Sequence, residues 1–297
     1  MEEVMFTELR KRHATPYALI APVLIFMIIV YGYPLLLTFK YSFQDVSLIG
    51  SKSIFVGLAN YKRVLTDPKF YNTLILTLKW TVLTVALKIG FGFILAMFLN
   101  GEIYLKKIYR FLVLIPWAIP QVVVSILWAW ILDGQYGYLN YYLQKMGLIE
   151  NAIYWLSSPR LAFISTSVVD AWIGIPLVTM IFLSGLSAIP DSFYEAARVD
   201  GANALQKFVH ITLPSMKKVI LIALTLTTIW TFNSFNVIFV LTGGGPMGGT
   251  ETMMIRIYKE TFGKYNLGMS ATLSVAVFVI LTALSIFYWK QINKDED

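Results

Sequence analysis

The hydrophobic positions of this chain form long, nearly uninterrupted runs, and the polar residues gather in the segments between them. Six of these runs are long enough for an α-helix to cross the hydrocarbon core of a membrane, which takes about twenty apolar residues. They cover residues 17–39, 72–99, 111–132, 161–186, 219–241 and 267–289. The pattern predicts an all-α, polytopic membrane protein with six transmembrane helices, whose transmembrane domain covers residues 17–290.

The composition supports a membrane protein. Hydrophobic residues make up 57% of the chain and charged residues only 14%, and a soluble domain of this size cannot bury so much apolar surface in one core. The first run is longer than the apolar core of a signal peptide, and no cleavage site of small residues follows it. We therefore expect it to remain as a helix.

The positive charges indicate an orientation. The net charge is +7, but no basic run is longer than three residues, so nucleic acid is not an expected partner. Lysine and arginine accumulate on the cytoplasmic side of membrane proteins, and basic clusters adjoin predicted helix ends at Arg10-Lys11-Arg12, Lys106-Lys107 and Lys217-Lys218. We expect a multi-pass protein of a bacterial or archaeal cytoplasmic membrane, with the N-terminal segment 1–16 and the tail 291–297 in the cytoplasm.

The segment between the fourth and fifth runs, about residues 187–218, is longer and more polar than a connection requires. Ser192 and Glu195 fit a capping box. The stretch from Glu195 to Asp200 is predicted to be a short helix, and Gly201 is placed to end it.

A second short helix is predicted over residues 202–211, stopped by Pro214. The small side chains of Ala196 and Ala197 would let another surface approach the first helix closely. An insert lying in the lipid headgroup layer is one interpretation, and a docking element for a cytoplasmic partner is the favoured one.

The same insert carries a specific resemblance. Its pattern is Glu195-Ala196-Ala197, then Gly201, then Ile211-Thr212-Leu213-Pro214. This resembles the signature of permease subunits of binding-protein-dependent ABC importers. The stretches "FVGLANYKRVLTDPKF", "LIPWAIPQVVVSILWAWIL" and "LTGGGP" narrow the resemblance to the carbohydrate-uptake branch, the relatives of the larger permease subunit of the maltose transporter in compact six-helix form. It covers about residues 16–290.

The resemblance implies a permease subunit that carries a sugar or oligosaccharide across the membrane by alternating access. It implies a second, different permease subunit, two copies of an ATP-binding subunit and an extracytoplasmic solute-binding protein as partners. In that family the short helix of the insert fits a cleft on the ATPase subunit. The residues expected to couple the two subunits are Glu195, Ala196, Ala197, Asp200 and Gly201.

Asp170 is an ionisable residue within the fourth run, and such residues are costly in a membrane and are candidates for function. Helical spacing places Ile173, Gly174 and Leu177 on its side of the helix. The maltose relative uses the matching stretch in its sugar pocket, with asparagine at the position of Asp170. We expect these four residues to bind substrate. A structural pairing of Asp170 with another helix, through Lys88, is the alternative.

Polar side chains of the fifth run supply further substrate-binding candidates. Asn233 and Asn236 offer both donors and acceptors, as a neutral sugar hydroxyl requires. Together with Thr225 and Thr228 they fall in one broad stripe at helical spacing. Polar contact between helices is the alternative role.

Several other functions remain open or are disfavoured. The aspartate leaves an amino-sugar solute open as an alternative, and the family leaves a glycerol-phosphate-like solute open. An ion-coupled secondary transporter is disfavoured because no repeated halves are evident. The two histidines lie outside the runs, no metal-ligating cluster occurs, and "TGGGPMGG" lacks the lysine of a P-loop. We expect no enzymatic activity and no cofactor, with ATP hydrolysed by a separate chain.

Overall fold

The computed structural model describes residue 17 and residues 19–50 and 53–293. The predicted N-terminal segment 1–16, with its basic cluster, and residues 294–297 of the predicted tail lie outside the described residues. In chain order the elements are α1 (Leu19–Ser42), β1 (Gln44–Val46), β2 (Ser53–Phe55), α2 (Ala59–Thr66), α3 (Pro68–Asn100), α4 (Lys106–Ala118), α5 (Gln121–Ile131), α6 (Tyr138–Lys145), α7 (Pro159–Ser187), α8 (Asp191–Val199), α9 (Ala204–Ser215), α10 (Lys217–Phe232), α11 (Asn236–Thr242), α12 (Met253–Tyr258) and α13 (Leu267–Asn293). The described chain is mostly helical, as predicted.

Four of the described helices, α1, α3, α7 and α13, are long and apolar enough to cross a membrane. Two bent pairs, α4 with α5 and α9 with α10, also pass that test when each pair is taken together. The helices therefore allow four spans or up to six. The exact count of six stays a prediction.

The third hydrophobic run is not the single helix that the pattern predicts. It divides into α4 and α5, which meet at Ile119 and Pro120 with a bend of 91°. Proline disfavours the helical conformation in the residue before it, and Ile119 is extended, with ψ of 137°. Pro120 is therefore the cause of the break.

The fifth run is also interrupted, because α10 ends at Phe232 and α11 begins only at Asn236. At the end of α10, the Asn233 side-chain amide donates to the Ile229 carbonyl at 2.9 Å. Side chains of this type compete with the backbone for its own hydrogen bonds and disfavour helix interiors. Asn233 and Asn236 consequently do not lie on one continuous helix, so the predicted stripe is wrong.

The described chain separates into two compact units, and the first comprises residues up to 67 together with 257–278. It contains an antiparallel hairpin of β1 and β2, which the hydrophobic pattern does not predict. The buried Asn60 side chain donates to the carbonyls of Ser42 at 3.2 Å and Gln44 at 2.9 Å. A Cβ atom on Gly268 would overlap the Gln44 carbonyl oxygen, so the backbone packs here only with glycine.

The second unit comprises residues 68–256 and the end of the chain from 279. Helices α3 and α7 pack against each other at Gly92, where an added Cβ would lie 2.8 Å from Val178 Cγ1. Phe182 is fully buried beside this crossing. A second cluster joins the buried Trp80 to the buried Ile238 of α11. This apolar packing holds the walls of the cavity described next.

Candidate functional site

A cavity of about 400 Å³ lies within the second unit. Its walls come from α3, the α4–α5 bend, α7 and the break between α10 and α11. The residues that line it are Lys88, Trp117, Gln121, Asp170, Ile173, Gly174, Leu177, Val178, Thr227, Trp230, Asn233, Ser234, Phe235 and Asn236. Both helix breaks therefore open onto the same space.

A buried ion pair forms one wall of this cavity. Lys88 Nζ lies 2.6 Å from Asp170 Oδ2, and the two side chains are only 8% and 4% exposed. Lys88 also donates to Thr231 Oγ1 at 3.0 Å, and the Ser234 hydroxyl donates to Asp170 Oδ1 at 2.8 Å. Each charge thus has its opposite and one further hydrogen bond, which is the condition for keeping charges in a low-dielectric interior.

Gly174 makes room for this pair. A Cβ atom at Gly174 would lie 2.5 Å from Lys88 Cε and 2.8 Å from Lys88 Cδ. The gap that helical spacing predicts beside Asp170 is therefore filled by the aliphatic part of Lys88. The pairing of Asp170 with Lys88, which was the alternative at the sequence level, is what the structure contains.

The structure brings all six predicted substrate-binding residues to this one cavity. They are Asp170, Ile173, Gly174, Leu177, Asn233 and Asn236. Ile173 is only 4% exposed and packs mainly with apolar neighbours. Asn236 Nδ2 donates to Gln121 Oε1 at 3.1 Å, joining α11 to the start of α5. The role of these six predicted residues in substrate binding stays a prediction.

Sequence reasoning missed several lining residues. Trp117 and Trp230 are both about half exposed and present aromatic surface, and Ser234 holds Asp170. Gln121 follows Pro120 directly, and a polar residue after a proline within a hydrophobic run was the available signal. In contrast, the predicted candidates Thr225 and Thr228 are not among the lining residues.

The polar insert forms a second candidate site. Helix α8 has no buried residue, and Gly201 follows it with φ of +77°. Glu195, Ala196, Asp200 and Gly201 are exposed, and Ala197 is half-buried. Apolar side chains are exposed around them, namely Phe193, Val199 and Leu205.

Two local expectations for the insert are wrong. Helix α8 begins at Asp191 after Pro190, whose φ of −61° suits a helix entry, and no side chain caps it, so Ser192 and Glu195 form no capping box. The capping box lies instead between Asn203 and Gln206, each side chain accepting from the other's backbone N–H at 2.9 and 2.8 Å.

Pro214 does not stop the second helix of the insert, because α9 continues to Ser215. A π-helical turn, Phe208–Thr212, ends two residues before Pro214. Such a turn changes the hydrogen-bond register, and this accommodates a residue that has no N–H to donate. Tyr194 of α8 contacts this turn through a 2.9 Å hydrogen bond between its hydroxyl and Thr212 Oγ1.

A groove of about 330 Å³ runs between the two short helices of the insert. Ala197, Asp200 and Gly201 line one side, and Gln206, Lys207 and His210 line the other. Its walls therefore combine the small residues Ala197 and Gly201 with an acidic side chain, Asp200, and a basic one, Lys207. The insert therefore presents a shaped polar surface outside the apolar helices.

The sequence matches a known family over most of its length. The model of the family described as binding-protein-dependent transport system inner membrane component matches residues 88–292. The chain belongs to this family, which confirms the predicted resemblance. It is therefore a component of an inner-membrane transport system rather than an enzyme.

Individual relatives cover nearly the whole chain. A probable ABC transporter permease protein of Brucella suis is 35% identical over 95% of this chain and 97% of its own. The trehalose/maltose transport system permease protein MalF of Thermococcus litoralis is 35% identical over 98% of both chains. The crystal structure of a bacterial ABC transporter that imports the acidic polysaccharide alginate has a TM-score of 0.83, at 20% identity, over 98% of this chain and 99% of that one. This last likeness shows a shared fold.

Proposed function

We propose that this chain is a permease subunit of an ATP-driven importer and that it carries a sugar or oligosaccharide through the cavity by alternating access. The observation that carries the proposal is the lining of that cavity, which places amide groups beside aromatic faces. Asn233, Asn236 and Gln121 supply donors and acceptors for hydroxyl groups. Trp117 and Trp230 supply flat surfaces for the apolar face of a sugar ring. The trehalose/maltose relative supports the same class of solute.

Six membrane spans are part of this proposal. Helices α1, α3, α7 and α13 each provide one, and α4–α5 provides a broken one. The sixth is α10 continued by α11 rather than the pair α9–α10, because α9 lies within the polar insert of residues 187–218. Irregular backbone at membrane depth is tolerated where it lines a cavity, and both breaks do so. The proposed orientation keeps both termini and the insert, residues 187–218, in the cytoplasm.

We further propose that the insert couples the chain to its ATPase. Helix α8 buries none of its own residues and exposes Phe193 and Val199, as a surface does when a partner covers it. Glu195, Ala196 and Ala197 would lie in a cleft of the ATP-binding subunit. The other partners are a second, different permease subunit and an extracytoplasmic solute-binding protein, with two copies of the ATPase in the complex.

Crosslinking tests the coupling surface. The chain contains no cysteine, so Ala196→Cys provides a single exposed thiol on α8, and Tyr136→Cys provides an exposed control away from the insert. We expect a heterobifunctional reagent, with a maleimide for the thiol and a photoreactive benzophenone for the neighbouring surface, to link Ala196→Cys to the ATPase subunit in the purified importer and to leave Tyr136→Cys unlinked to it. Equal linking of both, or linking of neither, would contradict the assignment.

Uptake tests the class of solute. The complete importer, reconstituted in proteoliposomes with its binding protein, should take up at least one neutral sugar from a panel of mono-, di- and trisaccharides when ATP is present. Substituting Trp230→Ala should lower the initial rate at low sugar concentration about two- to tenfold, because stacking on an aromatic face contributes about 0.5–1.5 kcal/mol. A complex that moves amino acids or peptides and no sugar would refute the proposal.

A further inference from the structure

We propose that the Lys88–Asp170 pair determines the charge of the solute that the cavity accepts: it keeps the cavity electrically neutral, so that an uncharged polyhydroxy solute is accepted and anionic or cationic ones are rejected. This inference rests on the proposed function, because it concerns the solute carried through that cavity. It addresses the amino-sugar and glycerol-phosphate-like alternatives that the sequence leaves open.

The distribution of charge in the cavity is the first support. Among the described residues that line it, Lys88 and Asp170 are the only charged ones. They lie 2.6 Å apart, and their charges sum to zero, so the lining carries no net charge. The remaining polar lining groups are amides and hydroxyls, which carry no net charge.

The hydrogen bonds of the pair are the second support. The ammonium group of Lys88 has three donors, and two are used by Asp170 and Thr231. One oxygen of Asp170 accepts from Lys88 and the other from Ser234. Because each oxygen has a second lone pair, a solute hydroxyl can be added to the network without removing a partner.

A charged solute group cannot be added in the same way. A carboxylate or phosphate that binds the remaining donor of Lys88 adds a second negative charge beside Asp170, and one lysine cannot balance both. An ammonium group that binds Asp170 likewise adds a second positive charge beside Lys88. Either solute leaves one uncompensated charge in a buried site, which is strongly unfavourable.

The packing around the pair keeps it from opening. The aliphatic part of Lys88 lies against Gly174 so closely that a methyl group would not fit between them. Asp170 is 4% exposed and is held from the other side by Ser234, in the break between α10 and α11. The pair is therefore a fixed wall of the cavity.

Charged thiol reagents can measure the potential in the cavity without knowledge of the solute. The chain has no cysteine, and Leu177 lines the cavity and is half-buried, so Leu177→Cys is a single reporter there. In the complete purified importer, its modification rates with the anionic sulfonatoethyl and the cationic trimethylammonioethyl methanethiosulfonates are compared. Their ratio cancels any change in the ionisation of the thiol itself.

We expect this ratio to be close to that of a free small thiol when the pair is intact. Asp170→Asn should raise the anionic-to-cationic ratio about tenfold or more, equivalent to about 1.4 kcal/mol. Lys88→Met should lower it by a similar factor. The double variant Lys88→Gln/Asp170→Asn is neutral and nearly isosteric, and it should restore the original ratio.

Solute selection is measured on the same reporter, as protection of the cysteine from a neutral maleimide. Maltose should protect the chain with the intact pair, and its carboxylate maltobionate should not. Maltobionate should protect the Asp170→Asn chain. Gel filtration of each complex confirms that the variants assemble, and the neutral double variant is the control for folding.

Two results would overturn the inference: an intact cavity that strongly prefers one sign of reagent, or protection of the intact chain by maltobionate as well as by maltose. A different result would overturn the proposed function. If the reagent ratios follow the expected order and no sugar of the mono-, di- and trisaccharide panel protects any variant, the cavity is neutral but does not hold a sugar.

Discussion

A substitution at Gly201 distinguishes the folding of the insert from its proposed role in coupling. The φ of Gly201 is +77°, and a Cβ atom built on it meets nothing within 4 Å. The cost of a side chain there comes from the backbone alone, about 1–2 kcal/mol for the left-handed conformation and less for asparagine or aspartate. A Gly201→Asp chain should therefore insert and fold almost as well as the natural sequence.

The same substitution places a charged side chain at the groove of about 330 Å³ between α8 and α9. If an ATPase subunit occupies this surface, the added carboxylate must be desolvated at the contact without a partner, which costs several kcal/mol. We expect ATP-dependent uptake, and the ATP hydrolysis that loaded binding protein stimulates, to fall to near background. Both are measured in proteoliposomes at equal amounts of complex.

Gly147 provides a matched control. Its φ is +71°, an added Cβ also meets nothing within 4 Å, and it lies outside the insert. Gly147→Asp carries the same backbone cost and should keep normal uptake and stimulated hydrolysis. A Gly201→Asp complex that transports as fast as the Gly147→Asp complex would refute the coupling assignment.

Three further sets of substitutions test the packing, the cavity and the insert. Gly92→Leu should destabilise the α3–α7 crossing by about 1–3 kcal/mol and lower the Tm in detergent. Gly90→Leu is the control, because an added Cβ there meets no atom within 4 Å, and an equal fall in Tm for both variants would contradict the close approach at Gly92. Gln121→Ala and Asn236→Ala should each raise the apparent KM for uptake, and the free-energy effect of the double variant should be about 1 kcal/mol smaller than the sum of the two single effects. Strictly additive effects would argue against the hydrogen bond between the two side chains. Tyr194→Phe should reduce hydrogen-exchange protection in α9 by about 1 kcal/mol, since it loses the bond between the two short helices, and unchanged protection would show that this bond does not hold the insert together.

The long apolar runs were enough to predict most of the helices, because a membrane-spanning helix is specified by length and hydropathy. The interruptions were harder to predict. Pro120 marks one of them, since proline fixes its own φ and restricts the residue before it. Hydropathy does not mark the break at Asn233, which depends on a side chain that competes for a backbone carbonyl.

The candidate site was located from Asp170 because a charge within an apolar run is conspicuous. The sequence offered the pairing of Asp170 with Lys88 only as the alternative to substrate binding, because helical spacing does not show which charges meet between helices. Lys88 is 82 positions away along the chain, and only the packing of α3 against α7 brings the two together. Helical spacing correctly placed Gly174 beside Asp170, but the space it leaves belongs to the lysine rather than to a solute.

The central claim, that the solute passes through the cavity of the second unit, is tested most directly by blocking it. Leu177→Cys places one thiol in the cavity, and Val82→Cys places one on an exposed apolar surface of α3 away from the lining residues. Each complex is labelled to completion with a bulky maleimide, and ATP-dependent sugar uptake is measured before and after. The account predicts that labelling abolishes uptake through the Leu177→Cys complex and leaves the Val82→Cys complex unchanged, whereas undiminished uptake after complete labelling at position 177 would contradict it.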